Sequence, residues 1–244
     1  MKRVLLILAV VFVQQAQSQN ESNGLRGEPA AIADAREMVT ALGGLEIWAK
    51  MKSLRFVHEW YFWNRLDSYV EDEVLDLTGP RSWVEMKSEI YHRLRAYSPE
   101  HKYWNIMDGE FAFANESAFE SAMERAPYHW VRIAHAIAVN DPFYEIRFGS
   151  GPFTNSRQLE FFGPDGQKHG SILLNVRKEP VVWSTTQYTY TFGPMKRFGN
   201  LRVPDWASTG NGAVTYQMIS LTGSSMPPDS SLFIPPVKFQ KQGK

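Results

Sequence analysis

The stretch Leu54-Arg55-Phe56-Val57-His58-Glu59-Trp60-Tyr61-Phe62-Trp63 alternates in position but not in bulk. Leu54, Phe56, His58, Trp60 and Phe62 fall on one side of a two-residue period. Arg55, Val57, Glu59, Tyr61 and Trp63 fall on the other, which is the spacing of a β-strand. Large side chains occupy both sides. A strand in a half-solvated antiparallel sheet keeps one face polar, so this one is expected inside a concave, helix-covered surface. The pattern fits a filled interior and an open one equally.

Working outward, strand-like runs follow at 68–77, 82–97 and 102–107, with Thr78-Gly79-Pro80 and Ser98-Pro99 as turns. Along 82–97, Val84, Met86, Ile90 and Leu94 share one face. Glu85, Lys87, Glu89, Arg93 and Arg95 share the other, predicting a sheet with one dry and one wet face. Upstream, Pro29 opens a helix with Ile32, Ala35, Met38 or Val39, and Leu42 on one face, and Gly43-Gly44 stops it. Leu45, Trp48 and Met51 predict one further short helical turn.

A helical insert is expected next. Ser117 with Glu120 reads as a capping box, and Phe119, Met123, Trp130, Ile133 and Ile137 recur at helical spacing. Pro127 divides the insert and Asp141-Pro142 ends it. Strand patterns resume at 144–148, 158–162, 171–177, 181–190 and 213–222, with Gly163-Pro164-Asp165-Gly166 as a hairpin turn. The tail from Pro227-Pro228-Asp229 to Pro235-Pro236 predicts an irregular strap. The fold class expected is α+β: a curved antiparallel sheet covered by helices.

The amino-terminal segment and the cysteine count set the compartment. Lys2 and Arg3, the apolar run 4–13, and small residues at Ala16 and Ser18 make residues 1–18 an expected signal peptide. The run is shorter than the roughly 20 residues a bilayer span needs, and no later segment is apolar enough to be one. Residues 19–28 are expected as a flexible lead, and 29–244 as one domain. Without Lys2 and Arg3 the chain has 24 basic against 26 acidic residues, a balance that gives no field for nucleic acid. There is no cysteine, hence no disulfide, thiolate metal site or lipidated cysteine. An exported chain without disulfides fits a bacterial periplasm.

Catalytic signatures are weak. The six histidines (58, 92, 101, 129, 135 and 169) form no compact metal pattern, and no metal or cofactor is expected. Gly149-Ser150-Gly151-Pro152 reads as a turn, not as a nucleophile elbow. Glu85 and Glu89 share a strand face, but Lys87 between them reads as a solvated charge ladder. The aromatic content is the stronger signal: 14% of residues, with eight tryptophans. Such rings fill a core or line an apolar cavity. Phe56, Trp60, Phe62, Trp83, Trp104, Phe161 and Trp183 on the strands, with Met123 and Trp130 on the insert, are the candidate lining residues.

The order of these segments resembles the LolA/LolB-like superfamily, the outer-membrane lipoprotein carriers and their periplasmic relatives. The residues that carry the resemblance are Ala41-Leu42-Gly43-Gly44-Leu45-Glu46-Ile47-Trp48 before the aromatic strand, the Gly163–Gly166 turn, Phe198-Gly199-Asn200-Leu201-Arg202-Val203-Pro204, and Pro228-Asp229-Ser230-Ser231-Leu232-Phe233-Ile234-Pro235-Pro236. The resemblance implies an unclosed antiparallel β-barrel capped by helices, with a hydrophobic cavity for acyl chains. Lipoprotein-receptor members carry a lipidated cysteine and this chain has none, so it is more similar to a soluble carrier or sensor. Arg55 is the nearest position, by order, to the carrier's functional arginine; an outward strand arginine is the simpler reading.

Together these features predict a periplasmic, non-catalytic binding protein for a lipid or for the acyl chain of a lipoprotein, with the insert 117–139 as its lid. The alternatives are a protein-interaction or envelope-sensor module with an envelope protein partner and, third, an envelope hydrolase using Glu85 and Glu89.

Overall fold

The computed structural model describes residues 24–152 and 157–236. The expected signal peptide, 1–18, and the first part of the expected lead lie outside them. Among the described residues there are four α-helices: α1 (Pro29–Ala41), α2 (Leu45–Lys50), α3 (Glu116–Arg125) and α4 (Trp130–Val139). Before α3 come β1 (Arg26–Gly27), β2 (Ser53–Phe62), β3 (Tyr69–Asp76), β4 (Ser82–Lys87), β5 (His92–Ser98), β6 (Lys102–Met107) and β7 (Glu110–Phe113). After α4 come β8 (Glu145–Gly149), β9 (Arg157–Phe162), β10 (Lys168–Leu174), β11 (Pro180–Thr185) and β12 (Thr189–Phe192). The hairpin β13 (Met195–Phe198) and β14 (Leu201–Pro204), then β15 (Trp206–Thr209) and β16 (Val214–Ser224), complete the set.

Fourteen strands form one open, curved sheet in the order β1-β8-β9-β10-β11-β12-β15-β16-β2-β3-β4-β5-β6-β7, while β13 and β14 pair apart. The pairs are antiparallel except the short parallel β1–β8 contact. Strand β2 lies between β16 and β3, inside the sheet. β2 pairs along its length with β16, from Val214↔Phe62 to Ser224↔Ser53, and so joins the two meanders. Its alternation is as expected: Leu54, Phe56 and His58 are buried on the concave face, while Arg55 is exposed on the other.

Helix α1 starts with Pro29 at its first turn and buries Ala31, Ala35, Met38 and Val39. It packs on α4, β8 and β9. Gly43 (φ 127°) ends it in a conformation that disfavours a side chain. A Cβ there would sit 2.6 Å from the Asn200 carbonyl, and the Arg202 amide donates to the Leu42 carbonyl at 3.0 Å. The glycine lets the β13–β14 hairpin close against the helix end.

Three expectations need correction. The run 82–97 is a hairpin, not one strand: the Ser88 amide donates to the Tyr91 carbonyl at 2.8 Å, and Val84 pairs with Arg95. The turn inverts the face assignment, so Arg93 and Arg95 join Val84 and Met86 on the concave side and Leu94 joins Glu85 on the convex side. Second, Asn115, not Ser117, caps α3, its Oδ1 accepting from the Ala118 amide at 2.8 Å. Third, residues 24–28 of the expected lead pack along the sheet: Leu25 is buried and Arg26–Gly27 pairs with Glu145 and Ile146.

The convex face is covered in part, over β5 and β6. Ala96, Trp104 and Ile106 form a second apolar cluster with Phe233 from the 3₁₀ turn Ser230–Phe233 of the strap. The Trp104 indole donates to the Phe233 carbonyl at 2.8 Å. The main core lies on the opposite side, between the concave face and the helices.

Candidate functional site

A cavity of about 250 Å³ lies between the concave face and α3–α4. Its floor comes from β2, where Phe56, His58 and Trp60 project from alternate positions. The wall toward β11, β12 and β16 is aromatic. Trp183 stacks on Tyr190 (centroids 5.8 Å, planes 15° apart) and meets Tyr188 edge-on at 5.2 Å, while Tyr216 lies 5.0 Å from Trp60. The wall toward β3–β6 is polar: Glu71, Glu73, Arg95, Tyr97 and Tyr103. Glu71 and Glu73 lie between Tyr69 and Leu75 at two-residue spacing on the concave side of β3, opposite His58 and Phe56 in the ladder.

The roof is anchored unevenly. Arg132 of α4 is buried and donates to three backbone carbonyls: Asp76 at 3.0 Å, Ala126 at 2.9 Å and Arg81 at 2.6 Å. His135 Nδ1 lies 2.9 Å from the Trp48 carbonyl, and every residue from Trp130 to Ile137 is buried. Helix α4 is therefore core. Helix α3 is exposed or half-buried along its length and buries only Ala122. It is held to the sheet side by Lys102 with Glu116 at 2.8 Å and by Gln187 with Ser121 at 3.3 Å. The two halves of the expected lid thus differ, and only α3 is peripheral.

The electrostatics follow from burial. Burial pushes the Glu71 carboxyl up to about 7, against the pull of nearby Arg95. Glu73 is raised for the same reason; its Oε1 accepts from Ser82 Oγ at 2.9 Å. Burial pushes the imidazoles of His58 and His129 down to about 3, with Arg132 and His58 adding to the effect at His129. Both histidines are neutral at physiological pH. Arg95 stays charged despite its desolvation because Glu71, Tyr103 and Glu73 surround it.

Polar satisfaction is incomplete. His58 Nδ1, Trp60 Nε1 and His129 Nδ1 are buried without a hydrogen-bond partner among the described residues. His58 Nδ1 comes within 3.7 Å of Glu71 Oε1. The Trp60 indole favours the ionised form of Glu71 but lacks hydrogen-bond geometry to it. All three residues line the cavity.

Of the nine candidate lining residues, Phe56, Trp60, Trp130 and Trp183 line this cavity. The other five lie elsewhere. Trp83 and Trp104 belong to the convex cluster under the strap, Phe62 packs with Tyr69, Val84 and Met86, and Phe161 is buried in the main core. Met123 is half-buried on α3. Arg55 is outward, paired with Asp72 on the next strand. The arginines at the cavity are Arg95, Arg125 and Arg132. The polar wall was not foreseen, although the two-residue spacing of Tyr69, Glu71, Glu73 and Leu75 carried the signal for it.

The acids considered for hydrolysis lie away from the cavity. Glu85 is held by Lys87 at 2.6 Å and His92 at 2.9 Å, and Glu89 is exposed in the β4–β5 turn. Among the described residues no group of three or more His, Asp or Glu side chains is placed to hold a metal ion. Nor is any helix there long and apolar enough to cross a membrane.

No protein-family model matches the chain, and no curated protein matches it. Three solved structures are similar in part. A DUF1329 family protein from Desulfovibrio piger has a TM-score of 0.47 at 7% identity, over 80% of this chain and 93% of that one. The Mycobacterium tuberculosis lipoprotein LppX has a TM-score of 0.31 at 10% identity, over 83% of this chain and 98% of that one. MucB has a TM-score of 0.24 at 10% identity, over 88% of this chain and 65% of that one.

Proposed function

We propose that this chain is an exported, non-catalytic binding protein that takes up a lipid, or the acyl chain of a lipoprotein, in the cavity beneath α3 and α4. One observation carries the reading: an aromatic-walled space of about 250 Å³ open between sheet and helices. Native interiors are packed with few voids larger than a water molecule, and a space of this size between sheet and helices supports a binding role. Each methylene brought out of water contributes about 0.8 kcal/mol, and even part of one chain gives useful affinity. The volume is below the roughly 300–1,000 Å³ of typical ligand pockets. It therefore takes part of a chain, and movement of α3 admits the remainder. The amino-terminal segment 1–18 supplies export, and the resemblance to the LolA/LolB-like carriers is consistent with a periplasmic carrier.

Uptake of N-phenyl-1-naphthylamine by the purified protein and by the Trp60→Asp variant tests this reading. Uptake by the parent and its loss in a variant with unchanged far-UV circular dichroism is the expected result. Equal uptake by both overturns the cavity assignment.

A further inference from the structure

The cavity holds more positive than negative charge. Arg95, Arg125 and Arg132 line it together with two acids, Glu71 and Glu73. An arginine keeps its proton in proteins, so one positive charge is in excess even when both acids are ionised. Burial raises both acids, which widens the excess. Surplus charge away from bulk water is costly until an opposite charge joins it.

Accessibility decides which of these groups a ligand would touch. The Arg95 side chain keeps 32% of its surface accessible, while Glu71 beside it keeps 4%. Arg125, at the end of α3, is half-buried. Among the described residues it makes one hydrogen bond, from Nε to the Ser121 carbonyl at 2.9 Å, and no ion pair. Its Nη groups keep their donors. Arg132 is buried and engaged by its three carbonyls, so it adds charge without contact. Glu73 is half-buried, but its Oε1 is taken by Ser82 Oγ, and both Arg95 and Arg132 offset it.

The two accessible arginines border the same end of the space. Helix α3, which carries Arg125, packs on β5, which carries Arg95. The Tyr188 hydroxyl lies within electrostatic reach of Arg125, Tyr97 and Glu73, and Glu73 within that of Arg95. Gln187, next to Tyr188, bonds Ser121, one turn before Arg125.

We propose that this end of the cavity binds the anionic head, a carboxylate or a phosphate, of an amphiphile, with Arg95 and Arg125 as its partners. This rests on the function proposed above and adds the class of head group. A guanidinium is a planar fork that matches two oxygens of a carboxylate or phosphate. Tyr97 and Tyr188, which line the same cavity, carry hydroxyl donors. An uncharged head would leave the excess charge as it stands, and a cationic head would add to it. The chain of the ligand lies against the aromatic wall.

The test is displacement of N-phenyl-1-naphthylamine from the purified protein at pH 7.4 by dodecanoate, dodecanol and dodecylammonium, each below its aggregation concentration. The shared chain makes tail burial cancel. Dodecanoate is expected to bind about tenfold more tightly than dodecanol, the scale of a net charge-assisted hydrogen bond, and dodecylammonium most weakly. Arg125→Gln, with unchanged far-UV circular dichroism, should shrink the preference for dodecanoate severalfold, and Arg125→Lys should keep part of it. Acetate at the same concentrations should leave the reporter in place; displacement by acetate alone overturns the amphiphile in favour of a free anion. Equal affinities for dodecanoate and dodecanol, a preference for dodecylammonium, or a preference untouched by Arg125→Gln overturn the head-group site while leaving chain binding intact. Failure of all three amphiphiles and of the reporter to bind overturns both readings.

Discussion

His58 Nδ1 lies 3.7 Å from Glu71 Oε1, with both side chains buried on neighbouring strands and no hydrogen bond between them. The pair is at the same place a neutral base and an acid with a strong tendency to stay protonated. Its two members have opposite effects on stability as pH changes.

Glu71 is raised to about 7 from an ordinary 4.5. Between those values the folded chain holds a proton that the unfolded chain has lost, so this contribution falls as pH rises and is gone above about 7. Glu71→Gln removes the dependence. The stability of Glu71→Gln minus that of the parent should therefore climb between pH 4.5 and 7, by about 3 kcal/mol at most, and flatten above. Urea unfolding at stepped pH values reads this difference directly; a flat difference would mean that Glu71 is solvated.

The histidines work in the other direction. With His58 and His129 at about 3, the unfolded chain gains protons below about 6.5 that the folded chain refuses, so stability falls on acidification. In nitrogen-detected NMR both rings should remain neutral and unchanged from pH 8 to pH 5. A midpoint near 6 for either ring would show it open to water.

Arg132 is the tie between roof and sheet. Arg132→Met removes three charge-assisted hydrogen bonds, leaving the Arg81 and Ala126 carbonyls only their backbone amide donors, and should cost about 3 kcal/mol. Arg132→Lys should recover only part of this, because an ammonium cannot reproduce the planar fork that reaches three acceptors. A loss below about 1 kcal/mol in urea unfolding would place the anchoring of α4 elsewhere.

Phe233 separates packing from binding. It closes the convex cluster with Trp104, on the opposite face of the sheet from the cavity. Phe233→Ala should cost about 3 kcal/mol or more through the void it leaves, while affinity for N-phenyl-1-naphthylamine stays unchanged. Loss of affinity in a folded variant would join the two faces functionally.

Much of the fold was legible because its signals are local. The alternation of β2, the Pro29 and Gly43 boundaries of α1, and the Gly163–Gly166 turn each depend on a few neighbouring residues. The β4–β5 turn was not legible, since Ser88-Glu89-Ile90-Tyr91 contains neither glycine nor proline, and missing it reversed the faces of Arg93, Arg95 and Leu94. The site was half legible for a related reason. A tryptophan that lines a cavity and one that sits under a strap have the same strand pattern, as Trp183 and Trp104 do. Only the tertiary path of the chain around Ser230–Phe233 tells them apart.

The most direct test of the binding role is native mass spectrometry of the protein purified from a bacterial periplasm, followed by organic extraction. The account predicts an extractable lipid that leaves with the cavity ligand, together with uptake of N-phenyl-1-naphthylamine once it is removed. Protein that carries no lipid and takes up no probe would contradict it.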